Sequence, residues 1–165
     1  MTLNEVMEFE RANEVVKAAD SYEIILKECS GNLNAYINLL VLYWQSTDYG
    51  FSSSNGLSPD FVRVAGNRLA EMLNGSLSNF YDEPEFQFWA KYIAWAELGE
   101  KFDIEECYGL MRRKLRYYEP AMFIYASTAG KQAVSEVAEL LALVQSQQTI
   151  RDRYINSVVM GIRCE

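Results

Sequence analysis

From Leu3 to Cys29 the chain carries neither Gly nor Pro, and Val15, Ala18/Ala19, Tyr22, Ile25/Leu26 and Cys29 recur at steps of three and four. That step follows 3.6 residues per turn, so the segment predicts one long helix or two short ones. "SGN" at Ser30 to Asn32 stops it, with Gly31 able to take the left-handed conformation that closes a helix. Tyr36, Leu39, Leu40 and Tyr43 mark the next stripe. "STDYGFSSSNGLSPD", Ser46 to Asp60, is the longest break in the pattern and predicts a loop. Its end is a helix start, because Ser58 can cap and Pro59 suits a first helical position that lacks an N–H partner.

Phe61, Val64/Ala65, Leu69 and Met72/Leu73 give a third helix, ended by "NGS" from Asn74, and a polar stretch runs on to Asp82. Pro84 opens a fourth, with an inward stripe of Phe88, Tyr92, Trp95 and Ala96 and a stop near Gly99. Asp103 and Glu106 stand at capping-box spacing and open a fifth, through about Tyr117. Pro120 to Lys131 reads as a short sixth helix stopped by Gly130. Val134, Val137/Ala138, Leu141 and Val144 give a seventh, and a last runs from about Thr149 to Met160. No alternating run with a two-residue hairpin turn occurs. The prediction is an all-α fold, seven to eight helices in antiparallel pairs, forming one domain over residues 1–165.

Composition agrees with a packed chain: half of the 165 residues are apolar, with 11 Tyr, 8 Phe and 3 Trp. The net charge of −8 opposes binding to a phosphate backbone, so no nucleic-acid partner is expected. "MTLNEVMEFERANEVV" lacks the basic and apolar regions of a secretory signal, and no segment is apolar over the length of a membrane span. Cys29, Cys107 and Cys164 are scattered and odd in number, which suits reduced thiols in the cytoplasm.

Ala18, Tyr22, Ile25 and Leu26, followed by Tyr36, Leu39, Leu40 and Tyr43, resemble the second helix of one tetratricopeptide (TPR) repeat running into the first helix of the next. "AYINLLVLY" is similar to that family's Ala-Trp-x-x-Leu-Gly-x-x-Tyr, with Tyr for Trp and Leu for Gly. A second unit, "FWAKYIAWAELGEKFDIEECYGLMRRKLRYYEP", repeats the tryptophan-bearing helix, the Leu-Gly before a turn and the later proline. The resemblance covers about half of the chain. It implies stacked helix pairs, an architecture whose faces hold protein segments.

Catalytic chemistry is sparse. With no histidine, Ser-His and Cys-His catalysis are excluded, and three distant cysteines do not make a four-thiolate zinc site. "STAGKQ", Ser127 to Gln132, lacks the residues of a phosphate-binding loop. Asn74-Gly-Ser76 is a glycosylation triplet without the secretory route that would use it. Arg112 to Arg116, "RRKLR", puts four cations in five positions, where they oppose the negative end of the predicted fifth helix. No catalytic residue, metal or cofactor is expected.

The candidate partner-binding residues are of two kinds. Tyr49 and Phe51 lie in the Ser/Gly loop, where exposed aromatics make contacts and buried ones make core; both readings stand. Asp82, Glu83, Glu85, Glu97, Glu100, Asp103, Glu105 and Glu106 face only Lys91 and Lys101 between residues 82 and 106, a local charge of −6. Acids in a first helical turn also complement the helix dipole. Size, acidity and helices together resemble the small acidic immunity proteins of bacteria. That resemblance implies a cationic toxin domain, a nuclease among the candidates, as the protein partner. A TPR-like adaptor or chaperone is the alternative, and a small carboxylate-metal enzyme a further one.

Overall fold

The computed structural model describes residues 1–74 and 79–163, so Gly75 and Ser76 of the glycosylation triplet and Cys164 lie outside the described residues. Ten helices and no strand occupy the described residues: α1 (Leu3–Arg11), α2 (Val15–Glu28), α3 (Leu33–Thr47), α4 (Tyr49–Ser54), α5 (Pro59–Leu73), α6 (Pro84–Leu98), α7 (Ile104–Arg113), α8 (Pro120–Ser127), α9 (Val134–Gln147) and α10 (Ile150–Arg163). They pack as two compact units, Met1–Tyr81 with Thr149–Arg151, and Asp82–Gln148 with Asp152–Glu165.

Ten helices exceed the seven to eight expected. One extra arises because Asn13 takes a left-handed φ of 57° and splits the N-terminal segment. Asn is among the few non-glycine residues that visit this region readily. The other is α4, inside the stretch expected to be a loop: the Asp48 carboxylate accepts the Phe51 N–H at 2.8 Å and starts a six-residue helix that Asn55 and Gly56 end. A side-chain cap at its start outweighs the poor helix propensity of Gly and Ser over so short a span. Gly31 is not left-handed, and α2 instead closes at Cys29, whose backbone leaves the helical region at φ −140° and ψ 84°.

In the first unit α3 is the hub, packing against α2, α4 and α5. Ala35, Ile37 and every residue from Leu39 to Trp44 are buried. A helix apolar on all sides must be enclosed, and each large side chain so enclosed contributes roughly 1.5–3 kcal/mol. Tyr36 is the half-buried exception, its hydroxyl donating to the Met72 carbonyl at 2.8 Å. By contrast α2 is one-faced, burying Val15, Ala18, Ala19, Tyr22 and Ile25 between α1 and α3.

The second unit runs α6, α7, α8 and α9, each packed on the next. Glu83 precedes the opening Pro84 of α6, and Gly99 closes that helix at φ 66°. The capping box of α7 forms as its spacing predicts: the Asp103 side chain accepts the Glu106 N–H at 3.0 Å, and Glu106 accepts the Asp103 N–H at 3.2 Å. That helix stops at Arg113, short of Tyr117, because Lys114 turns to extended backbone. Around Tyr92 gathers a ring cluster in which Phe102 and Phe123 meet tilted at 4.6 Å and Trp95 meets Phe123 edge-on at 5.1 Å. The buried face of α6 is Phe86, Phe88, Trp89, Tyr92 and Ile93; Trp95 and Ala96, expected inward, are exposed.

Candidate functional site

The end of α6 and the start of α7 hold most of the carboxylates singled out from the sequence, and the structure sorts them by what they touch. Glu85, in the first turn of α6, is mostly covered and pairs with Lys114. Glu106 pairs with Lys91 while closing the capping box with Asp103. These three therefore hold the α6–α7 frame together. Asp82 offers its backbone carbonyl to Arg113. Among the described residues, Glu83, Glu100 and Glu105 make no ion pair and are exposed, and Glu97 is exposed beside them in the chain. The negative surface is thus narrower than the run of eight acids suggests.

Apolar exposure falls in the same segment. Trp95 is 40% and Leu98 73% exposed, one turn apart on α6, and so on the same face of the helix. The Trp95 ring rests against Tyr92 and Phe123, which fixes its orientation while leaving an edge in solvent. Sequence periodicity assigned Trp95 to the core because its spacing from Phe88 and Tyr92 is helical. The left-handed turn at Gly99 ends the helix directly after Leu98, so its last turn is left uncovered.

Tyr49 and Phe51 part company. Both belong to α4, where Tyr49 is 85% exposed and Phe51 half-buried. Within the first unit, α4 packs against α3.

Two clefts have no counterpart in sequence spacing. In the first unit a cleft of about 480 Å³ has apolar walls that include Leu26, Leu39, Met72 and Phe80. On its rim Arg68 donates to both carboxylate oxygens of Glu23 at 2.9 Å and also to Glu71, while the Tyr43 hydroxyl donates to Glu23 at 3.0 Å. These hydrogen bonds hold the Arg68 guanidinium pKa above its ordinary value, although burial acts the other way. Burial, and then the charge of Glu23, push the Tyr43 phenol up. Glu23 and Arg68 lie 45 positions apart, so only folding brings them together.

The second unit has a smaller cleft of about 220 Å³, lined by Tyr108, Met111, Arg112, Lys114, Arg116, Tyr117, Tyr118 and Glu136. Its tyrosines could have been noticed, because "RRKLRYY" interleaves cations and rings.

Nucleophile and metal chemistry find little support in the geometry. Cys107 is buried, and burial, then the charges of Glu106 and Asp103, push its thiol up to about 12. It is protonated at neutral pH, which removes its nucleophilic form. Among the described residues no three Cys, Asp or Glu side chains gather as a metal-binding group. No helix is long and apolar enough to cross a membrane among these residues.

The fold and surface define an all-α protein with an acidic, partly apolar helix face. No family model matches the chain, and no curated protein or solved structure matches it either.

Proposed function

We propose that the protein is a non-catalytic binding module whose α6–α7 surface takes a cationic protein domain. The observation that supports this most directly is the exposed Trp95–Leu98 pair set beside the exposed carboxylates Glu97, Glu100 and Glu105. A rigid aromatic and an aliphatic anchor within a charged margin match the anatomy of interfaces, where a few buried anchors carry affinity and the rim tunes encounter. The exposed carboxylates of Glu100 and Glu105 would speed association with a basic partner, most strongly at low salt.

In its sharper form this module is a bacterial immunity protein that covers the basic site of a toxin domain, a nuclease being the most suitable charge class. Size and acidity, rather than a matched relative, support that form. A TPR-like adaptor or chaperone is the second reading, favoured by the consecutive packing of α2 on α3 and of α6 through α9.

The test is co-purification of the tagged protein with the product of the adjoining reading frame, followed by association kinetics across a salt series. The double variant Glu100→Lys/Glu105→Lys leaves the Asp103–Glu106 cap and the Lys91 pair intact, and should slow association about tenfold at low salt. Trp95→Ala should speed dissociation by roughly tenfold or more. Binding unchanged in both variants would remove the α6–α7 surface as the interface. A melting temperature raised by Mg²⁺, Mn²⁺ or Ca²⁺, together with metal-dependent turnover, would favour the carboxylate-metal enzyme instead.

A further inference from the structure

The four cations of Arg112 to Arg116 do not act alike. Arg113 donates to the Gln87 side chain and the Asp82 carbonyl, and Lys114 pairs with Glu85, so these two fasten the end of α7 to the start of α6. Arg112 and Arg116 are exposed and make no hydrogen bond or ion pair among the described residues. Both line the 220 Å³ cleft, with Tyr108, Tyr117 and Tyr118 as its rings and Met111 among its apolar lining. Opposition to the helix dipole accounts for Arg112, in the last turn of α7, but not for Arg116, which lies beyond the helix.

The backbone there is unusual too. Arg116 has a φ of 58°, a left-handed conformation that Gly or Asn would adopt at lower cost. Leu115, between the two cations that follow α7, is 91% exposed. A long cation is therefore held in a strained turn, next to an apolar side chain that the fold leaves in water. The first unit's larger cleft differs at this point, because its arginine is saturated by Glu23 and Glu71.

We infer that this cleft is a binding site for an acidic, extended segment of a protein partner, one carboxylate side chain entering between Arg112 and Arg116. Charge complementarity selects the occupant: besides Lys114, which Glu85 already matches, Arg112 and Arg116 line the cleft against the single carboxylate of Glu136, in a chain whose net charge is −8. Volume selects it as well. At about 220 Å³ the cleft is below the roughly 300–1,000 Å³ of small-molecule sites, and accommodates one side chain rather than a whole cofactor. Planar guanidiniums grip a carboxylate through two parallel N–H donors, and the tyrosine walls exclude water from that contact. Leu115 then packs against an apolar residue of the same segment. The inference does not rest on the acidic α6–α7 surface, although α7 contributes residues to both.

The test is fluorescence anisotropy of the intact protein with three labelled probes: a peptide alternating Glu and Leu, one alternating Glu and Ser, and an oligothymidylate. The Glu/Leu peptide should bind, with affinity falling as salt rises, and should bind more tightly than Glu/Ser. Arg112→Ala/Arg116→Asn should weaken it about tenfold or more, with the Asn keeping the left-handed turn and the melting temperature unchanged. Leu115→Ser should erase the preference for Glu/Leu over Glu/Ser. Glu100→Lys/Glu105→Lys should leave peptide binding in place, which separates this site from the acidic surface. No binding of the Glu/Leu peptide, equal binding by the double arginine variant, or preferential binding of the oligothymidylate would each overturn the inference.

Discussion

Replacing Glu10 by alanine removes a carboxylate that has no solvent exposure at all and that accepts hydrogen bonds inside the first unit. The Tyr22 hydroxyl donates to one oxygen at 2.8 Å, and the backbone N–H of Ile150, at the first position of α10, donates to the other at 3.0 Å. Tyr22 and Ile150 are themselves buried, so water does not replace the lost acceptor. A hydrogen bond to a charged group is worth about 1.5–3 kcal/mol, which makes the expected loss for Glu10→Ala about 3–6 kcal/mol. That is a large share of the roughly 5–15 kcal/mol that stabilises a typical domain. Tyr22→Phe should cost less, since it removes only the bond from the Tyr22 hydroxyl. Because the two side chains share one bond, the double variant should lose less than the sum of the single losses. Urea unfolding of the two single variants and the double reads these values, with hydrogen exchange at the Ile150 amide as the local measure. A Glu10→Ala loss under about 0.5 kcal/mol, or unchanged protection at Ile150, would refute this account of the buried carboxylate.

Two glycines with positive φ should differ in tolerance. Gly99→Ala meets open space and should cost about 1–2 kcal/mol for the left-handed backbone alone, whereas Gly130→Ala places a Cβ 3.2 Å from the Tyr125 ring and should cost more, by thermal unfolding. Exposed Cys29 should react with iodoacetamide in the native protein while buried Cys107 does not, as peptide mass mapping would show; equal labelling would contradict the packing of α7. Cys107 also makes stability depend on alkaline pH. Its thiol ionises near 9.0 when unperturbed and at about 12 in the fold, so the folded chain holds the extra proton between those values. Its contribution is intact below pH 9 and lost as pH rises toward 12, and Cys107→Ala should flatten the decline of unfolding free energy over that window.

Local chemistry made the elements with strong punctuation legible. Ser58-Pro59, Asp103 with Glu106, Pro84 and Gly99 sit at the helix ends their backbone requirements predict. Elements that depend on a weaker local event were less so: the pattern left open whether the N-terminal segment is one helix or the two that Asn13 separates, and it read as a loop the stretch where Asp48 caps a helix of Gly and Ser. The candidate surface was readable as a run of acids, but not which acids remain exposed, since Glu85 and Glu106 are matched by Lys114 and Lys91 at separations of 29 and 15 residues.

Residue order, through the three-to-four spacing of apolar positions and the caps, is enough to specify an all-α chain and most of its helix starts, because those signals act within one or two turns. Only the folded chain decides that α3 is buried from Ile37 to Trp44, that Trp95 stays at the surface, that Arg68 is paired with Glu23 and Glu71 while Arg112 and Arg116 make no ion pair among the described residues, and that Glu10 caps α10 from 140 residues away. Those outcomes depend on which surfaces meet, and burial and pairing across long separations leave no periodic trace in the sequence.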